Sequence, residues 1–579
     1  MRRVQYLLAG MVLLLAFDHL AAQPLYGTDE LGRTLIQNDE AGNPKPNRHI
    51  ALFYFLWQGD KGSPTSPRHW DLGVIEAAHP EVFANSKDSN WGGAVGSYYY
   101  WGQPVYGYYR GDDYWVHLRN IQLLTDAGVD LLVLDATNTI TYPLQSEVLM
   151  QAIDAVRAQG KTPPAVVFYT NTASGKTMQA IYDQFYKQGA RYRHPGCWFY
   201  LEGKPLIIGV TKEAAGTSYQ SFFTFREAQW PNVPAVTNGW PWISFTRKPE
   251  VYMNTHGEKE IANVSVAQHP DPAAGMGGSA FYGNTRNWGR SYHNNHPGNP
   301  AKDIRYGYNI QEQWDAVLKE QLPFIFVTGW NEWIAGRWKS TDGDPRHSYF
   351  CDQASPEYSR EIEPTRTAGL NDNYYMQLVN NIRRYKGVEK NRSSAPVKNM
   401  NGLSSWKKIA LVYTDYTGDT KPRNHPGAQS APLVSYTNTT GRNDFRLMKV
   451  AHGKTKIFFY AETVNNITPV SGDNWMRLYL DWDCNAGTGW NGYDYRIVEG
   501  TMLQQYRGHW VTINSNALKK EVNGNHMMIT VPMYLLNGMS SKGFEFKWTD
   551  NMQKEDPMDW YINGDAAPGG RFNYRYTPE

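Results

Sequence analysis

The sequence predicts an α/β (β/α)8 TIM-type barrel over residues 23–387, a linker at 388–403, and an all-β sandwich over 404–579. Three observations lead there. Up to residue 387, short apolar runs alternate with stretches of helical spacing, the order of parallel βαβ units. From about residue 404 the pattern changes to short strands divided by turn residues. At 579 residues the chain is also too long for one ordinary core.

The first 22 residues read as a signal peptide. Arg2-Arg3 is a basic start, Tyr6 to Phe17 an apolar stretch, and Leu20-Ala21-Ala22 a small-residue cleavage site. Export to the periplasm or the extracellular space is the expectation. Asp18-His19 interrupts the apolar run too early for a membrane span, and no later window reaches a transmembrane length.

Strand and helix signals then alternate. His49–Trp57 is a strong strand. After it comes a long aromatic, Gly-rich excursion centred on Ser97–Tyr109. Such a loop serves as a lid or subsite wall, or is packed by its own tyrosines. Asp112 or Asp113 caps a helix with Trp115, Leu118, Ile121 and Leu124 on one face, and Gly128 closes it. Strands follow at 129–134, 165–169, 206–210, 261–267 and 324–328, with helices over about 145–158, 175–189, 309–320 and 372–386. About six or seven strands with long connections suit a barrel with insertions. A doubly wound open sheet is the alternative, disfavoured because no Gly-rich phosphate loop follows a strand.

Polar and aromatic residues fall at the ends of these strands: Trp57, Asp135, Asn171, His269 and Glu332. Strand C-termini of a parallel barrel converge on one face, where barrel enzymes place their chemistry. Glu332 lies in Phe324-Ile-Phe-Val-Thr-Gly-Trp-Asn-Glu-Trp333, between two tryptophans. Tryptophan faces stack well on sugar rings and can desolvate a carboxyl enough to raise its pKa. Glu332 and Asp135 are therefore the expected catalytic pair for glycoside hydrolysis, which uses two carboxyl groups. A Glu332–Arg337 ion pair and a loop role for Asp135 are the structural alternatives. Trp57, Trp101, Tyr106, Asn171, His269, Arg286, Trp288, Asn331 and Trp333 are the expected substrate-binding residues. Glu361 and Glu363 offer further carboxylates, though Arg/Glu alternation also forms surface ion pairs.

Composition narrows the partners. The net charge is +2 without long runs of one sign, which speaks against nucleic acid. The 21 Trp and 39 Tyr suit a polysaccharide or oligosaccharide ligand, and suit large β-rich cores equally. The 3 Cys, at 197, 351 and 484, imply no disulfide framework. No catalytic cofactor is implied. In the C-terminal part, Asp481, Asp483 and Asn485 alternate like the front of a calcium loop, but no Glu stands twelfth. A hairpin turn is the other reading.

His49–Trp57, Trp101-Gly-Gln-Pro104, Ala127-Gly-Val-Asp130 and Gly329-Trp-Asn-Glu-Trp333 together resemble the glycoside hydrolase family 71/99-like group. That group includes endo-α-1,2-mannosidases, α-1,3-glucanases and domains encoded with polysaccharide biosynthesis genes. The resemblance covers about residues 45–387. It implies a barrel acting on glycans as an exported glycoside hydrolase, with a glycan-binding degenerate barrel or a cell-envelope glycan-assembly protein as the alternatives. In the endo-mannosidase pattern Asn-Glu-Trp-x-Glu-Gly, Glu332 matches the first acid, whereas Ala335 stands at the second. The second carboxylate must then come from elsewhere: Asp135 first, then Asp352, Glu361 or Glu363. Residues 404–579 resemble family 9-like carbohydrate-binding modules in Asn474–Asp481, Thr488–Tyr495, Phe544–Trp548 and Gly564–Pro568. This implies either glycan tethering or support of the barrel.

Overall fold

The structure is a computed structural model that describes residues 23–59, 70–271, 278–280, 286–340, 344, 347–351, 355–428, 434–472 and 474–579. The predicted leader at 1–22 and Asp352 lie outside the described residues.

Eight parallel strands among them follow one another around a single sheet in chain order. They are β1 (His49–Tyr54), β2 (Leu131–Ala136), β3 (Ala165–Thr170), β4 (Lys204–Gly209), β5 (Thr224–Gln229), β6 (Gly239–Pro241), β7 (Lys259–Ser265) and β8 (Phe324–Thr328). Pairing of β8 with β1, Phe324 opposite His49 and Val327 opposite Leu52, joins the last strand to the first. Between β6 and β7 the ladder is interrupted. The short strand Tyr252–Met253, antiparallel to β7, fills this gap, and the Asn238 N–H donates to the Met253 carbonyl at 2.7 Å. The result is a nearly closed barrel. All five residues of β8 are buried, as expected for a parallel strand covered on both faces.

Helices α1 (Tyr114–Ala127), α2 (Pro143–Arg157), α3 (Ser174–Ile181), α4 (Tyr308–Val317) and α5 (Asn373–Lys386) pack on the outside. Asp113 caps α1 by accepting from the N–H groups of Trp115 and Val116, and Gly128 closes it in the left-handed conformation. The regular (β/α)8 alternation does not hold throughout. A short 3-10 turn, Thr211–Ala214, follows β4, and no α-helix follows β5 or β6. Pro231 and Pro234 break the first of these connections; Pro241 and Pro249 break the second.

Inside the barrel, Phe53, Tyr169, Phe326 and Trp242 form an aromatic layer. Phe53 lies 5.9 Å from Tyr169, 5.8 Å from Phe326 and 6.1 Å from Trp242 between ring centres. The Tyr169 hydroxyl donates to the Trp240 carbonyl at 2.9 Å, so this buried ring leaves no hydroxyl unpaired.

A smaller sheet stands beside the barrel mouth. The strand Ile334–Lys339 pairs with Tyr98–Tyr100, placing Ile334 opposite Tyr100 and Gly336 opposite Tyr98. The aromatic excursion is thereby fastened to the segment that follows Glu332.

The C-terminal part consists of two further sheets. Phe572–Pro578, Phe544–Asp550, Arg477–Asp481, Tyr495–Val498, Met502–Tyr506 and Trp510–Asn514 belong to one; Phe445–His452, Lys456–Thr463, His526–Pro532 and Lys519–Asn523 belong to the other. Their apolar faces share a core that includes Phe445, Phe459, Leu478, Leu480, Ile529 and Phe546. Tyr26–Gly27 adds to the edge of the first sheet, and Ser393–Ser394 pairs with Thr577–Pro578.

Buried ion pairs join barrel and sheets: Asp113 with Arg423 at 2.7 Å and Asp372 with Arg571 at 2.7 Å. Asp113 has two tasks, since one carboxylate oxygen caps α1 and the other holds Arg423. Asp113→Ala leaves a buried guanidinium unpaired and should lower stability by about 3–5 kcal/mol. A drop in the urea midpoint checks this.

Candidate active site

A cavity of about 240 Å³ opens where the β1, β2 and β8 ends converge with the neighbouring connections. Asp135 and Glu332 both line it, together with the aromatic side chains of Phe53, Phe55, Trp57, Tyr98, Trp230, Trp242 and Trp338. Phe53 forms its floor, as part of the aromatic layer below. Tyr98, Gly336 and Trp338 form a wall from the smaller sheet. The excursion after β1 contributes to one wall of the cavity and is packed in part by its own aromatic rings. Tyr98 faces the cavity, while Tyr99 packs outward against Trp91 and Phe350.

Glu332 is 6% exposed. Its Oε2 accepts from Arg360, wholly buried, at 2.9 Å. The partner is thus Arg360, and Arg337 belongs elsewhere: it donates to the carbonyls of Ser86 and Gly93 and lies over the Trp91 ring. The fixed positive charge of Arg360 gives Glu332 a counter-ion at every working pH. Arg360 also lies over the face of Trp242, 5.3 Å from the ring centre. Asp135 sits at the end of β2, where one carboxylate oxygen accepts from the Thr137 N–H at 3.0 Å.

The remaining predicted residues are placed as follows. Trp57 lines the cavity, edge-on to Tyr98. Asn331 is fully buried; its amide donates to the Phe55 carbonyl and the Tyr109 hydroxyl and accepts from the Phe55 N–H. It aligns the β1 end with the Glu332 segment and does not line the cavity. Trp333 is buried among Tyr100, Tyr108 and Tyr109, and the Trp101 backbone N–H donates to the Trp333 carbonyl. Both support the wall from behind. Tyr106 faces the junction with the C-terminal sheets. Trp288 pairs with Gln268 through the backbone and stacks under Arg247. Arg286 is exposed and Asn171 half-buried; neither lines this cavity.

His269 is fully buried, with Nε2 at 3.1 Å from the Tyr358 carbonyl. Burial and then the Arg360 charge push its pKa well below the ordinary value. The unfolded chain therefore takes up a proton that the folded one refuses. Stability from this group is full above the unfolded value of about 6.5 and is lost as pH falls below it. His269→Gln should flatten that acid limb of the stability curve, read by thermal unfolding across pH 4–8 (a range of about four units).

Of the alternative second carboxylates, Glu361 lies 3.7 Å from Arg290. Glu363 accepts from the Tyr109 hydroxyl at 2.9 Å, and burial raises its pKa well above the ordinary range. Neither lines the cavity shared by Asp135 and Glu332. Ala335 is also turned away, into an apolar cluster with Leu72, Val82, Trp91, Tyr99 and Phe350. A carboxylate at 335 on this backbone would be buried in that cluster, away from the cavity.

Trp230, Trp242, Trp338 and Arg360 are additions that sequence reading missed. Trp230 and Trp242 directly follow β5 and β6, the strands that sequence reading did not find.

In the C-terminal sheets, one carboxylate oxygen each of Asp481, Asp483 and Asp494 lies within 4.8 Å of the others. Asn485 takes part through its backbone N–H, which donates to Asp481 and Asp483, while its side chain accepts from Gly487. This is the geometry of a turn, with Asp494 as third acid.

No family model matches the chain, and no curated protein matches it by sequence. Among solved structures it is similar to the family GH99 endo-α-mannosidase from Bacteroides thetaiotaomicron. Identity is 14% and the TM-score 0.35, over 58% of this chain and 97% of that one. The same enzyme in complex with bis-tris-propane gives 14% identity and a TM-score of 0.34.

Proposed function

We propose that the protein is an exported glycoside hydrolase that cleaves a complex glycan at the mouth of the barrel. The observation that carries this reading is the cavity in which Glu332 and Asp135 share walls with the aromatic side chains of Phe53, Phe55, Trp57, Tyr98, Trp230, Trp242 and Trp338, the kind of lining a sugar site has. Glycosidic cleavage needs one carboxyl group to protonate the leaving oxygen and a second carboxylate to activate water or attack the anomeric carbon. Glu332, held opposite Arg360, takes the ionised role. Asp135 gives its proton to the leaving oxygen and is re-protonated as water is consumed. Trp57, Trp230, Trp242 and Trp338 supply the stacking faces.

Trp338 is 39% exposed, so Trp338→Ala should leave folding intact. Losing a stacking face of about 1–1.5 kcal/mol should raise KM about fivefold to tenfold with little change in kcat. Steady-state kinetics on a cleaved oligosaccharide checks this.

The reading itself is tested with a panel of plant, fungal and host glycans, scored for new reducing ends. Release by the wild-type protein is expected. Binding without release would favour the glycan-binding alternative that Ala335 raises.

A further inference from the structure

A second cavity, of about 50 Å³, lies at the junction of barrel and C-terminal sheets. Asp126 from the end of α1 lines it, as do Asp415, Asp419 and Asp565. Asp444 completes the group, because one carboxylate oxygen each of Asp419, Asp444 and Asp565 lies within 4.8 Å of the others.

These carboxylates are short of positive partners. None of the five forms an ion pair among the described residues. One guanidinium stands among them: Arg119 lines the same cavity, donates through Nη2 to the Asp419 carbonyl and keeps a buried Nη1 without an acceptor, while the Lys547 ammonium donates to the carbonyl of Pro568.

A second observation is independent of the cluster's charge. Asp415 and Asp444 are each 7% exposed. Oδ2 of Asp415 and Oδ1 of Asp444 and Asp419 are buried without a hydrogen-bond donor. A buried carboxylate oxygen with no donor is costly; Asp415 and Asp419 bring such oxygens to the cavity and Asp444 stands beside Asp419, an arrangement that calls for a cation. Oxygen-only ligands select a hard ion, and carboxylates from three separate chain segments suit the loose 6–8-fold shell of about 2.3–2.6 Å that calcium accepts, more than the strict octahedron of magnesium. The volume suffices for one ion with a water.

We propose that Asp415, Asp419, Asp444 and Asp565 bind one calcium ion, which fastens the C-terminal sheets to the barrel. The full-length protein, stripped with EGTA, tests this by calorimetric titration with calcium chloride and by thermal unfolding with and without it. Asp419→Asn is compared with wild type, and Asp483→Asn serves as control for the turn at 481–494.

Wild type and Asp483→Asn should both melt several degrees higher with calcium. Asp419→Asn should bind one calcium fewer than wild type and gain nothing from calcium in melting temperature. Without metal it should melt at or above the metal-free wild type, since one repelling charge is gone. Asp415→Asn should behave alike and stands in if Asp419→Asn fails to fold. Equal calcium binding and equal stabilisation in wild type and the Asp419→Asn or Asp415→Asn variant would overturn the site. An equal response to magnesium would overturn its assignment to calcium.

Discussion

Glu332→Gln is expected to reduce glycan cleavage by about 100-fold to 10,000-fold, the usual range for a lost proton-transfer group. The amide keeps the size and shape of the carboxylate and still offers Arg360 an oxygen acceptor, so packing should change little. What is lost is the negative charge that activates water or stabilises the positive charge growing on the sugar. Initial rates of reducing-end release, with a circular dichroism spectrum to show an unchanged fold, check this. Cleavage surviving in the variant would move the catalytic role to another carboxylate and leave the cavity reading in place.

Arg360→Met is expected to damage both stability and activity. Arg360 and Glu332 are 0% and 6% exposed at their side chains, so the substitution takes the counter-ion away from a largely buried carboxylate. Breaking a buried pair from one side costs about 3–5 kcal/mol. Methionine fills much of the volume but supplies no charge, and the guanidinium face over Trp242 is lost as well. The double variant Arg360→Met/Glu332→Gln should recover much of the stability, because no buried charge remains, and none of the activity. Urea midpoints for the two single variants and the double one measure this coupling.

How much of this was legible depended on whether a residue's environment was local. The β8 run, Phe324–Thr328, announces itself because four apolar side chains precede a single threonine and all five are buried. The α1 boundaries were readable because Asp113 and Gly128 act on their own neighbours. β5 was hidden by charge: Thr224-Phe-Arg-Glu-Ala-Gln229 does not look buried. In the structure Arg226 is neutralised by Glu260, with contacts at 2.8 and 2.6 Å, a residue on β7 that no local pattern identifies. β6, at three residues, is too short to leave a period.

The same distinction divides the site. Asp135, Glu332 and Trp57 stand at strand ends and could be found from the strands alone. Trp230, Trp242 and Trp338 reach the cavity only through the folding of connections without periodicity. Asn331, Trp333 and His269 were expected to meet substrate because of where they stand in the chain. Asn331 instead bonds Phe55 and Tyr109, Trp333 packs among Tyr100, Tyr108 and Tyr109, and His269 bonds the Tyr358 carbonyl, all partners from distant segments.

The central claim is that glycan is bound and cut between Asp135 and Glu332. Its most direct test is a crystal structure of the Glu332→Gln variant with an oligosaccharide that the wild type cleaves. A sugar chain stacked on Trp57, Trp242 or Trp338, with the scissile oxygen beside Asp135, is expected. A sugar chain seated elsewhere, with the cavity among Phe53, Trp230 and Trp242 free of sugar, would contradict it.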